Sequence, residues 1–531
     1  MTVVVSELAG TGTLIRFILR RDRVRSSIWA ASIIVLAAAT VESIKALFPT
    51  QAALDQAAAA SAANVAVIVF NGPAQSLGTL GGEVAFQAGS TILVVVALMS
   101  LLTVVRCTRA EEESGRAELV RATRVGRHAD AAAALIIVAA WNVAIGVCLV
   151  LVLIGQGLPV AGSVCFGASA VAIGVFFSSV AMVTAQVTQS SRVASGLAGI
   201  VLGLAFALRA AGDVGDGRLS WLSPIGWSQK TRPFAGERFW PLLVPLVLTA
   251  VLLTLAGALS RRRDLGAGLV APRPGPPVAS PRLGRPLGLA IRLERGTLVA
   301  WTAGMFVIGV GFGSVTNAVG TFVGDSQSMK EILAQFGGRD LVDSYLGTAL
   351  LMMAIIAAGY AVQSTMRLSS EETSSHAESM LATSLTRTRW MGAHLVVALA
   401  GSALVLGAAG LGAAIPYTMI SRDVSQLTRV SAAILVYLPA EWLMVGITAA
   451  LFGALPRATD SAWAAVAAFF VCGFFGELLK LPAWVMDLSP FHHTPQLPAV
   501  TLTVPPLIVI TGVAAALLGV GILAFGHRDL G

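Results

Sequence analysis

Twelve apolar runs, each near the ~20 residues that a helix needs to cross hydrocarbon, leave this chain few folds to choose from. They fall near 27–48, 88–105, 131–155, 161–187, 193–211, the stretch closing at Leu259, 298–319, 345–366, 391–415, 430–454, 462–480 and 503–525. Inside a bilayer only helices and closed barrels satisfy their own backbone groups, and no alternating barrel pattern is present. The sequence therefore predicts an all-α polytopic membrane protein with twelve transmembrane helices. Composition agrees: 12% of residues are charged and 56% hydrophobic, whereas soluble domains carry about a quarter charged residues.

The net charge of +8 would suit a nucleic-acid partner if it were gathered in one patch, but it is spread by topology. With the amino terminus inside, most of the 36 Lys and Arg fall in segments assigned to the cytoplasm, the bias expected of cytoplasmic loops. This predicts a multi-pass protein of a cytoplasmic membrane with both termini inside, and no nucleic acid. Cys107, Cys148, Cys165 and Cys472 have no paired spacing, so neither a disulfide framework nor a metal site is expected. The first apolar run follows a basic helix and precedes no small-residue cleavage site, so no cleavable signal is expected. Arg16, Arg20 and Arg23 share one face of residues 12–25 while Leu14, Phe17 and Ile18 turn away. That pattern describes either an interfacial helix ahead of the first span or an ordinary positive flank.

Between the second and third runs lies a polar stretch, Thr108-Arg109-Ala110-Glu111-Glu112-Glu113-Ser114-Gly115-Arg116-Ala117-Glu118, followed by Arg121-Ala122-Thr123. It returns as Ser370-Glu371-Glu372-Thr373-Ser374-Ser375-His376-Ala377-Glu378, then Leu381-Ala382-Thr383. Each copy reads as a water-exposed helix. Thr108 with Glu111, and Ser369 with Glu372, have capping-box spacing, and Glu112 with Arg116 has the favourable order for an exposed pair. Other landmarks recur in the same sequence order. Arg21-Asp22-Arg23 before Trp29 is echoed by Arg292 to Arg295 before Trp301, Leu222-Ser223-Pro224 by Leu488-Ser489-Pro490, and Arg263-Asp264-Leu265-Gly266 by Arg528-Asp529-Leu530-Gly531. The order implies an internal duplication. The halves are 1–268 and 287–531, joined by a Pro- and Arg-rich linker over 269–286 that should be semi-extended.

The Glu-Glu-x-x-Gly-Arg-x-Glu signature after the second span, running on into Ala-Thr and a basic residue, resembles the cytoplasmic coupling helix of type-2 ABC exporter permeases. The nearest likeness is to the duplicated, tetronasin-type antibiotic and multidrug exporters of actinobacteria. It covers nearly the whole chain, although the second copy has Ser375 and His376 where the family has Gly-Arg. The resemblance implies two six-helix repeats and an ATPase-coupling role for Glu111, Glu112, Glu113, Gly115, Arg116, Glu118 and Arg121, and for Glu371, Glu372, His376 and Glu378. It further implies that spans 2 and 5 of each half line the substrate path. The faces chosen there carry Leu202, Phe206, Met352, Met353, Phe469, Phe470 and Phe474, apolar and soft enough to accept varied hydrophobic ligands.

The chain holds no Gly-x-x-x-x-Gly-Lys-Ser/Thr loop, and its lysines, Lys45, Lys230, Lys330 and Lys480, are all assigned to the outer side or near it. No catalytic residue and no cofactor are expected in this chain. By the resemblance, ATP and Mg belong to two copies of a separate ATPase subunit, and the cargo is a small hydrophobic compound or a lipid. A second reading is an ion-coupled carrier using Glu441 or Glu477, because an ionisable group at membrane depth is a functional candidate. Glu477 is also spaced to pair with Lys480. His492 and His493 are adjacent, so they point different ways.

Overall fold

The computed structural model describes residues 7–63, 65–123, 125–215, 217–264, 266–271, 277–324, 341–475 and 482–528. Every regular element among them is helical. Among the described residues, eleven helices are long and apolar enough to cross a membrane. Glu477 and Lys480 lie outside the described residues, as do residues 272–276 of the linker. The chain divides into two compact units, Met1–Gly275 and Pro276–Gly531.

The first unit opens on α1 (Thr11–Leu47). Residues 13–47 contain neither Gly nor Pro, so the basic flank and the first span form one unbroken 37-residue helix. Ile18, Asp22 and Ser26 form its buried stripe, while Arg16, Arg20 and Arg23 stay exposed. Two short helices follow, α2 (Gln51–Ala63) and α3 (Val65–Asn71). Then comes α4 (Leu80–Cys107), started by the Thr79 side chain, which accepts from the Gly82 amide.

After the elbow formed by α5 (Arg109–Glu113) and α6 (Arg116–Arg121), α7 (Ala129–Gly155) and α8 (Val160–Val187) make a hairpin across Gly157. The remaining elements are α9 (Ser191–Val214), α10 (Pro224–Gln229) and α11 (Leu243–Arg261). The centre of this unit is α8, whose Ala, Gly and Ser positions let α4, α7 and α11 pack closely on it. A methyl group added at Gly167 would sit 2.7 Å from the Gly146 carbonyl oxygen, so α7 and α8 meet backbone to backbone. Within this packing Ser100 Oγ donates to Asn142 Oδ1 at 3.1 Å. The aromatic stretch between α9 and α11 folds into α10 and single helical turns on either side of it: Trp221 stacks on Trp240 with centroids 5.3 Å apart, and Trp227 is buried.

The second unit contains α12 (Pro286–Gly324), α13 (Leu341–Thr365), α14 (Arg367–Thr373), α15 (His376–Leu381) and α16 (Arg387–Ser421). It continues with α17 (Ser425–Ala433), α18 (Leu438–Ala454), α19 (Ala462–Phe475), α20 (Ala483–Met486) and α21 (Val504–His527). Close packing again runs through small residues. Gly313 lies on the Ala413 backbone between α12 and α16, and Gly453 on Gly521 between α18 and α21. The run expected at 462–480 begins as α19, and its continuation lies outside the described residues.

Candidate functional site, the acidic elbows

Each polar copy is a break rather than a helix on water. In the first unit α4 stops at Cys107 because Thr108 leaves helical geometry (φ −121°, ψ −82°). The capping box expected there does not form. The Thr108 hydroxyl donates back to the Val104 carbonyl at 2.7 Å and is not free to cap α5. The chain then turns at Gly115 with φ +73°, a left-handed conformation open to glycine at little cost, into α6. The expected Glu112–Arg116 pair is also absent, since the two residues sit on different helices with this turn between them. Arg116 instead reaches Glu111 at 3.2 Å.

The three consecutive carboxylates go to three different places. Glu111 accepts from Arg21 of α1 at 2.7 Å. Glu112 takes Arg109 at 2.8 Å and both terminal nitrogens of Arg263, just past α11, at 2.8 and 2.9 Å. Glu113 accepts from the Ser191 amide at 2.8 Å and so satisfies one of the unpaired donors at the start of α9. Arg109 itself is buried, donating to the carbonyls of Ala185, at the end of α8, and Ala267 at 2.9 and 3.0 Å. On the buried face of α1, Asp22 holds Arg21 at 3.1 Å and Arg106 at 2.7 Å.

What faces outward is mainly α6. Glu113, Ser114, Arg116 and Glu118 are exposed, Leu119 is 75% exposed, and Ala117 is buried and pins the helix down. The Arg121 backbone ends α6, and its side chain is outside the described residues.

The second elbow repeats the shape with fewer ties. Ser369 lies inside α14, so the capping box expected from it with Glu372 is absent here too. Glu371 is buried and pairs with Arg367 of its own helix at 2.6 Å and with His376 at 3.5 Å. Glu372 pairs with Arg528, whose Nη1 donates to the Phe452 carbonyl at 2.7 Å. Thr373, at the position of Glu113, bonds only back into α14 among the described residues. Ser375 holds the left-handed turn at φ +57°, while His376 and Glu378 are exposed and Ala377 is buried. Ser375→Gly should therefore raise the stability of this unit by about 1 kcal/mol. A higher thermal midpoint in detergent would show it, and an unchanged midpoint would mean that the turn carries no strain.

The residues chosen for the substrate path are mostly packed within their own units. Leu202, Met353 and Phe469 are buried, Met352 and Phe470 partly so, and the Phe474 side chain is outside the described residues. Phe206 lies under the Arg209 guanidinium, 4.4 Å from its ring centroid, and 6.4 Å from Phe70. The exposed stripe of α9 carries Val193, Ile200 and Leu204 instead.

Sequence reasoning passed over the arginines. Arg109 stands inside the polar stretch, and Arg263 and Arg528 open the recurring Arg-Asp-Leu-Gly, but neither signal assigns them a partner.

The sequence family described as "Multidrug efflux system permease Rv1217c, C-terminal domain" matches residues 283–526. The "Multidrug efflux system permease protein Rv1217c" of Mycobacterium tuberculosis (strain ATCC 25618 / H37Rv) is 41% identical over 530 residues. The match spans 99% of this chain and 96% of that protein.

Proposed function

The chain belongs to the family of the multidrug efflux permease Rv1217c, and from that premise we propose that it is the membrane subunit of an ATP-driven exporter of the type-2 ABC class. On this reading it has twelve spans in two six-span repeats and sits in a bacterial cytoplasmic membrane with both termini inside. Two copies of a separate ATPase subunit, which hold the ATP and Mg, dock on the two elbows. Their closure pulls the elbows and rocks the helices behind them, letting a small hydrophobic compound leave the cell.

The observation that carries this reading is the duplicated elbow. In each unit a long buried helix ends in two short ones, the second carboxylate is turned inward onto an arginine, and the last short helix is left facing out. A loop that merely joined two spans would not need its acidic groups bonded to the ends of other helices.

The test is affinity purification of the tagged chain from its own membranes, assayed for vanadate-sensitive ATP hydrolysis. Wild type should retain an ATPase. Leu119→Glu, which alters only an exposed side chain of α6, should reduce the co-purifying activity about tenfold, equivalent to roughly 1.4 kcal/mol. Export that persists without any ATPase and collapses with the proton gradient would overturn the reading.

A further inference from the structure

We infer that Arg263 and Arg528 are positioning residues of the transport stroke, each locking the elbow of its unit to the ends of two long helices so that a pull on the elbow moves all three together. The inference rests on the coupling role proposed above and names the groups that transmit it.

In the first unit the Arg263 side chain is 8% exposed and that of Glu112 9%. The guanidinium grips Glu112 with two nitrogens, places Nε 2.6 Å from Gln186 Oε1 at the end of α8, and reaches the Ala267 carbonyl at 3.0 Å. Three elements thus meet at one cation: the elbow, the end of α8 and the exit of α11. In the second unit Arg528, directly after α21, binds Glu372 and the Phe452 carbonyl near the end of α18, and lies 5.2 Å from the Phe452 ring centroid and 5.5 Å from that of Phe525. Again an elbow, the end of one long helix and the exit of the last meet at one arginine.

Comparison of the two copies shows which tie the fold keeps. Thr373 stands where the first copy has Glu113, Ser375-His376 where it has Gly115-Arg116, and the first carboxylate pairs with Arg21 on another helix in one copy and with Arg367 on its own helix in the other. The second carboxylate with the arginine after the last helix survives in both, although the sequence separation differs, 151 residues in one and 156 in the other.

A planar guanidinium that forks onto a carboxylate fixes direction as well as distance. That matters in the first unit because Thr108 is a non-helical joint. Without Arg263 the elbow would keep the Arg109 bonds to the Ala185 and Ala267 carbonyls but lose the forked tie from Glu112 to the exit of α11. With it, the pulled segment and the two helix ends form a triangle.

The experiment uses the full complex with its ATPase subunits in proteoliposomes, measuring ATP hydrolysis and export of the dye rhodamine 6G in parallel. Arg263→Gln and Arg528→Gln should each leave the complex assembled and hydrolysing ATP while lowering dye moved per ATP at least fivefold. Arg263→Lys, which keeps the charge but loses the fork, should recover part of that loss. In the second unit, where Glu372 has Arg528 as its ion-pair partner among the described residues, Glu372→Gln/Arg528→Gln should be no worse than either single change. Unchanged dye per ATP in both glutamine variants would overturn the inference. So would failure of every variant to assemble, the lysine variant included, which would make the arginines structural only. A wild-type complex that exports dye without ATP would instead sink the coupling role itself, a result separable from the others.

Discussion

Arg209→Met is expected to destabilise the first unit by about 3–5 kcal/mol, the cost of leaving a buried charge without its partner. The Arg209 side chain is wholly buried and that of Asp213 is 6% exposed, with 3.5 Å between them. Arg209 donates to the carbonyls of Ile68 and Phe70, both at 3.3 Å, which fastens α3 to α9, and its guanidinium covers Phe206. Asp213 in turn accepts from the Ser220 hydroxyl at 2.7 Å, holding the turn that follows α9. The substitution keeps the bulk of the side chain but takes this donor from the Phe70 carbonyl and the counter-charge from Asp213, while Ile68 still accepts from the Gly72 amide. Thermal or denaturant unfolding in detergent measures the loss. Adding Asp213→Asn should return part of it, because the stranded charge goes. A loss below about 1 kcal/mol, the range of an exposed ion pair, would show that water reaches the pair.

Glu441→Met should act in the opposite direction. Glu441 in α18 is fully buried, and neither carboxyl oxygen has a hydrogen-bond partner among the described residues. Replacing an unsatisfied polar group with an apolar one of similar length removes a desolvation cost of about 1–3 kcal/mol. The midpoint of unfolding should therefore rise, and ATP-driven dye export should continue at the wild-type rate. Loss of export from an assembled, ATP-hydrolysing complex would bring this carboxyl group into the transport cycle and revive the ion-coupled reading. Glu441 thus bears both on stability and on the choice between the two mechanisms.

The long apolar helices could be read from the sequence because hydrophobic length is a local property. The duplicated landmarks were legible for the same reason, as short strings repeated in order. The elbow was found but its inner construction was not. Thr108-x-x-Glu111 satisfies a capping pattern, yet the hydroxyl is claimed by the last turn of α4. Glu112-x-x-x-Arg116 satisfies a helical pairing rule, yet Gly115 ends the helix between them. Glu112 also takes Arg109 three residues back, but the partners that tie Glu112 and Glu372 to other parts of their units arrive from 151 and 156 residues away, beyond any periodicity. The path residues show a related limit. Soft apolar side chains on the spans that the resemblance assigns to the path include Leu202, Met353 and Phe469, and such side chains also fill the interior of a helical unit.

The first elbow fastens its acidic run to three other parts of its unit. In the second, among the described residues, one such anchorage remains, at Arg528. Identical subunits related by a symmetry axis must offer a motor two handles of equal stiffness. A single polypeptide carrying both handles can make one firm and the other yielding, and so decide for itself which side gives first and in what order a cycle runs.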